Sequence, residues 1–170
     1  MQPSIRALFA TTLTLAACAT GKPVLYVDES VSLSSYRSVY VADIGHFDRA
    51  PDAEIARVIH DKITVRLGER GIALAKEPEA DATLVLDTRL SRYASGSAVE
   101  RWIVPGEGTT ECLIEGELQD GKTGSKLGVV VSHRVVSGGG LYTAPAGARI
   151  LDTVATDIAD AIAAEMKGTP

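Results

Sequence analysis

The chain of 170 residues is 45% hydrophobic with only five Tyr, two Phe and one Trp, and carries 17 Lys and Arg against 22 Asp and Glu, a formal net charge of −5. Once a leader is set aside, that length suits one domain, and the apolar content excludes disorder along the whole chain. An acidic balance with no Lys/Arg cluster excludes phosphate-backbone attraction, so no nucleic acid is expected as a partner and any membrane association must come from something other than surface charge.

Residues 1–17 carry Arg6, then the apolar stretch Ala7 to Leu15, then small residues, which is the layout of a signal peptide. The apolar run is far shorter than the ~20 residues that span a bilayer as a helix, and no later run reaches that length. Leu15-Ala16-Ala17-Cys18 resembles the lipobox of bacterial lipoproteins. The resemblance implies cleavage before Cys18 and a diacylglyceryl group on its thiol, leaving a mature charge of −6 once Arg6 is lost. Each acyl chain then contributes about 0.8 kcal/mol per buried CH₂. Ala19 follows where the inner-membrane retention signal is Asp, which implies an outer-membrane address with the domain facing the periplasm.

With Cys18 lipidated, Cys112 has no disulfide partner and reads as a small buried hydrophobe. Residues 18–35, with Gly21, Pro23 and a Ser-rich stretch, read as a tether holding one extended piece at Val24–Val27. A single domain is expected over 36–170.

The β-branched run Ser38–Ile44 predicts a strand and Gly45 to Pro51 a loop. Ile55, Val58, Ile59, Ile63 and Leu67 recur at helical spacing, so a helix starts near Pro51 and stops near Arg70, with Gly71 just past its end. Ile72–Leu74 reads as a short strand, Glu77–Asp81 as a loop, Ala82–Tyr93 as a longer strand with Leu84, Leu86 and Leu90 on one face, and Ala94–Gly108 as a loop. Cys112, Ile114, Gly116 and Leu118 alternate with Glu111, Glu115, Glu117 and Gln119, predicting a strand wet on one face. The turn residues Asp120 to Gly124 join it to a strand carrying Leu127, Val129, Val131 and Val135. Gly138 to Gly147 reads as loop, with Pro145 at the start of a last helix striped by Leu151, Val154, Ile158, Ile162 and Met166 and stopped at Gly168. The expected fold class is α/β of the α+β type. It is a mostly antiparallel sheet of four to five strands with two helices on one face, in the order β-α-(β)-β-β-β-α, the other face being left to solvent or a partner.

Gly116-Glu-Leu-Gln-Asp-Gly121-Lys122-Thr123 matches the P-loop pattern literally, but a phosphate cradle must leave a strand and open a helix. Here Glu117 to Gln119 continue a strand and a β-branched run follows Gly124, so Lys122 is assigned to a hairpin turn and no nucleotide is expected. Gly106-Glu-Gly108 lacks the third glycine and the helix of a dinucleotide fingerprint, and Gly138–Gly140 reads as loop. His46, His60 and His133 have no second ligand at helical spacing, so no metal is expected. Asp43, Asp48, Asp52 and Glu54 lie near a helix start and read as complements to its dipole. No G-x-S-x-G elbow is present. Catalytic, cofactor-binding and metal residues are therefore all expected to be none, and the chain is not expected to be an enzyme.

In their order, the Ser38–Ile44 strand, the helix to Gly71, Glu79-Ala-Asp-Ala-Thr-Leu-Val-Leu86, Gly106-x-Gly108, Asp120-Gly-Lys-Thr-Gly124 and the terminal helix resemble the lipoproteins grouped as domain of unknown function 4410. The resemblance spans most of residues 36–167 and brings no catalytic residue with it. It implies a topology similar to the amino-terminal domain of the Tol-system translocation protein and to the curli-export lipoprotein, which work through protein assembly in the envelope. The function expected on these grounds is an outer-membrane-anchored, non-enzymatic domain that binds another envelope component by its open sheet face or a sheet edge. The alternative is an auxiliary lipoprotein holding a small apolar ligand or lipid for a transport system.

Overall fold

The computed structural model describes residues 22–46, 53–97, 100, 103–104, 107–137 and 146–168. Its strands are β1 (Val24–Val27), β2 (Ser38–Val41), β3 (Gly45–His46), β4 (Ala73–Leu74), β5 (Thr83–Ala94), β6 (Thr110–Asp120) and β7 (Lys126–Val136), with a short 3₁₀ turn at Leu33–Ser35. The two long helices are α1 (Ala53–Glu69) and α2 (Ala146–Met166).

All strands join one sheet in the order β1-β7-β6-β5-β2-β4, with β3 pairing β5 beyond the end of β2. The α+β class holds, but the sheet has seven strands where four to five were expected. The surplus lies in β1, read as an extended piece of the tether, and in the two-residue strand β3, which is too short to show any period. The sheet is mostly antiparallel, as expected, through β5, β6, β7 and β1, while β2 pairs parallel with both β4 and β5, and β3 with β5. The parallel part follows from α1, because a helix between β2 and β5 returns the chain in the same direction.

Residues 24–35, read from sequence as a tether, are built into the domain. β1 pairs antiparallel with β7, Val24 opposite Val131 and Val27 opposite Gly128, and Leu33 is buried in the core. The strand expected at Ser38–Ile44 breaks after Val41 and resumes alongside β5 at Gly45–His46, inside the expected loop.

Both helices lie on one face. Ile59, Ile63 and Leu67 of α1 and Val154, Ile158 and Ile162 of α2 are fully buried against Leu84, Leu86, Ile114, Leu118 and Val130 of the sheet. Gly71, at φ +74°, ends α1 in the left-handed conformation that glycine adopts most readily. Along the outer seam Arg66 forks onto Asp152 at 2.9 Å to both carboxylate oxygens, and Arg70 pairs with Asp160. The pairing advances in the same sense along both helices, so they run parallel.

On β7 the alternation read from sequence is offset. The register slips between Leu118 and Gln119, whose partners are Gly128 and Lys126, leaving Leu127 as the extra residue of a bulge. Past the bulge Val130 and Ser132 are the buried positions, and Val129 and Val131 line the opposite, uncovered face.

Candidate functional site

Cys18, the expected lipidation site, lies outside the described residues, as do Asp48 and Asp52. Of the remaining candidates, Asp43 and His60 line one open surface pocket, with no further candidate beside them among the described residues. His60 on α1 meets the Val41 carbonyl through Nε2 at 3.3 Å, whereas His133 on β7 meets Glu111 at 2.9 Å, and His46 belongs to β3. Among the described residues no three His, Cys, Asp or Glu side chains converge as a metal site. Cys112 is fully buried, and burial, aided by the Glu111 charge, pushes its thiol up to about 12. A thiol held protonated in this way is not a nucleophile at neutral pH.

The P-loop look-alike is a hairpin. Gly116 to Asp120 belong to β6, and the Asp120 carboxylate accepts hydrogen bonds from the Lys122 amide at 3.1 Å and the Thr123 amide at 2.7 Å. The amides that would face a phosphate are thus spent on an Asx turn, and strand β7 follows instead of a helix. The Thr123 amide and the Tyr36 hydroxyl, which donates to Asp120 at 2.8 Å, hold the Asp120 carboxyl below its ordinary value.

The second face of the sheet carries a surface of its own, because among the described residues no helix covers it. Asp87, Arg89, Glu115, Glu117, Lys126, Val129 and Val131 line an open basin of about 420 Å³ there. Strand alternation places them: Asp87 lies opposite Glu117 and Arg89 opposite Glu115 across β5 and β6. Lys126 reaches Glu117 at 2.7 Å, and Gln119 donates to the same carboxylate at 2.9 Å. The Lys126 contact is the main reason that the Glu117 carboxyl sits below its ordinary value. On the β1 side the surface turns apolar, with Val24 opposite Val131 and Tyr26 opposite Val129. The alternating glutamates of β6 were the sequence signal for this face. Its contributions from β1 and β7 were not legible, because one strand was assigned to a tether and the other hides a bulge.

The geometry defines a two-layer α/β domain that offers an exposed, mixed charged and apolar surface instead of an enclosed pocket. Residues 42–140 match the family model described as domain of unknown function (DUF4410), and the chain belongs to that family. No curated protein matches it. Among solved structures it is similar to PelC from Paraburkholderia phytofirmans, a dodecamer, with 18% identity and a TM-score of 0.59 over 84% of this chain and 98% of that one. A hypothetical protein from Chlamydia trachomatis is similar at 11% identity and TM-score 0.57, covering 79% of this chain and 99% of that one. A DUF4136 family protein from Bacteroides thetaiotaomicron is similar at 11% identity and TM-score 0.50, over 84% and 97%. At these identities the likeness is one of fold.

Proposed function

We propose that the chain is an outer-membrane lipoprotein, acylated at Cys18, whose non-enzymatic domain binds another envelope component through the uncovered sheet face. The observation that carries this reading is the face itself: a sheet sealed by two helices on one side and, among the described residues, uncovered by any helix on the other, with charges of both signs beside the valines of β7. Mixed surfaces of this kind suit a protein partner, in which polar contacts set register and apolar ones supply area. The alternative, a small apolar ligand, needs an enclosed apolar cavity, and the basin is open and lined by Asp87, Arg89, Glu115, Glu117 and Lys126. PelC, similar in fold, is described as a dodecamer, which makes a second copy of this chain one candidate partner. Among the described residues no helix is long and apolar enough to cross a membrane, and a lipid on Cys18 would supply the attachment.

Two experiments test the two halves. Metabolic labelling with a fatty-acid analogue should mark the wild type and leave Cys18→Ser unlabelled; equal label on both would end the lipidation reading. A photo-crosslinking residue placed at Asp87 in living cells should give a discrete adduct of an envelope protein that the same residue at Val65, exposed on α1, does not give. Matching adducts from both positions, or none from either, would end the sheet-face reading.

A further inference from the structure

Two exposed apolar side chains, Ile103 and Val104, belong to the connection at the end of the sheet that the anchor can reach. β1 runs antiparallel to β7, so its amino end points to the end of the sheet where β7 finishes at Val136, β6 begins at Thr110 and β5 finishes at Ala94. Val136 lies five residues beyond Val131, the partner of Val24. At the rise of a strand that is roughly 17 Å. From Cys18 to Val24 is six residue steps, and a chain spans at most ~3.6 Å per residue, so a lipid on Cys18 stays within about 20 Å of Val24. With Val24–Val27 paired in the sheet and Leu33 in the core, the leash shrinks from the expected tether to residues 19–23. It reaches that end of the sheet and little farther.

The connection between β5 and β6 occupies the same end. It is pinned by the Ser97 amide on the Gly108 carbonyl at 2.9 Å and by Thr110 Oγ1 on the Ser95 carbonyl at 2.8 Å. Ser97 Oγ accepts the Glu100 amide at 3.2 Å, and the Val104 amide donates to the Glu100 carbonyl at 2.8 Å. Ile103 is 63% and Val104 47% exposed here. Exposed apolar side chains held by such bonds at the anchored end match a bilayer interface.

We propose that Ile103 and Val104 dock into the bilayer interface beside the acylated Cys18, so that the domain stands on this end with the Asp120–Gly124 turn pointing away from the membrane. The inference rests on the lipidation reading, which supplies the leash. The domain is acidic, so the docking is apolar and does not depend on anionic lipid. The leash adds a high effective concentration, which lets a few side chains suffice. The orientation leaves the uncovered sheet face and the distal turn accessible to partners in the envelope.

The test uses the acylated full chain, reconstituted in vesicles of phosphatidylethanolamine and phosphatidylglycerol, with a nitroxide on Ile103→Cys or, for comparison, on Lys122→Cys in the distal turn. Buried Cys112 does not compete for the label, and intact mass on each sample reads acylation at Cys18. The expected result is an acylated protein whose label at 103 collides several-fold more with oxygen than with a water-soluble nickel chelate, while the label at 122 shows the reverse. An acylated protein whose label at 103 is as open to the chelate as that at 122 overturns the docking and leaves the lipidation reading standing. Dipolar broadening between labels at 103 overturns it in favour of a second copy of the chain. An unacylated Cys18 in the wild type overturns both.

Discussion

Arg134 on β7 and Asp157 on α2 form a two-pronged clasp, Nε to Oδ2 and Nη2 to Oδ1, each at 2.7 Å, with both side chains largely buried. Ser132, the next inward position of β7, donates to the same Asp157 Oδ2 at 2.8 Å. The clasp fixes the rotation of α2 about its axis, because Asp157 adjoins Ile158 on the face that meets the sheet. Removing one partner strands the other charge, so Arg134→Ala is expected to lower stability by about 3 kcal/mol. Replacing both with Leu should cost less than either single change. Urea denaturation of the two singles and the double reads the difference, and additive losses would show that the groups do not interact.

The β6–β7 turn separates a solvated lysine from a confined glycine. Lys122 is exposed, its Nζ lying 3.8 Å from Asp81 at the surface, so Lys122→Ala should shift stability by no more than about 0.5 kcal/mol and leave binding of Mg·ATP undetectable, as in the wild type. At Gly121 an added Cβ would stand 2.0 Å from the Pro78 carbonyl oxygen. Gly121→Val must therefore move backbone, with an expected loss of more than about 2 kcal/mol. Melting curves and calorimetric titration of each variant decide both points, and micromolar ATP binding lost in Lys122→Ala would restore the phosphate site.

Burial sets an alkaline limit on the fold. The Cys112 thiol is pushed up to about 12 by burial, as is the Tyr36 phenol by burial and its hydrogen bond to Asp120. Both are neutral in the fold and titrate lower when unfolded, so their contribution is complete below the unfolded values and declines as pH rises toward 12. For Cys112 the loss at about pH 10.5 is on the order of 2 kcal/mol. Cys112→Ala, though less stable at neutral pH, should show a flatter decline between about pH 8 and 10.5 than the wild type. On the acid side the Arg66 fork lowers Asp152 and the Lys126 contact lowers Glu117. Their contribution is present above about pH 4 and fades as pH falls through the folded values, shallowly because both are solvent-exposed.

Long periodic segments were legible, whereas most of the pairing between strands was not. Ile59, Ile63, Leu67, Val154, Ile158 and Ile162 repeat often enough to mark both helix faces, and Cys112, Ile114 and Leu118 mark the inner face of β6. A two-residue strand such as Gly45–His46 has no period to read. Its existence depends on pairing with Arg89 and Leu90 of β5, which is tertiary information. The β7 bulge likewise depends on the partner strand, so Val129 and Val131 could not be assigned a face from their own spacing. The candidate surface was half legible for the same reason: the glutamates of β6 announced a wet face, but Arg89, Lys126 and Tyr26 join it only through pairing across four strands.

The amino-terminal boundary of the folded unit gives the last test. Residues 36–170 were expected to suffice for the domain, yet β1 pairs with β7 over Val24–Val27, and Leu33 packs in the core while Leu25, Val27 and Val31 pack against it. A chain starting at Tyr36 exposes the outer edge of β7 along the residues that β1 covers, and unpaired edges of that kind invite pairing between chains. It also leaves the pocket of Leu33 empty. Removing one buried leucine side chain costs about 2–5 kcal/mol, so Leu33→Ala in a chain starting at Lys22 should fall in that range. The chain starting at Tyr36 should lose more and associate as concentration rises. Denaturant midpoints with sedimentation analysis of the three forms read both effects. Equal midpoints for the chains starting at Lys22 and Tyr36, both monomeric, would return residues 22–35 to the role of a tether and lengthen the leash on which the membrane-docked orientation depends.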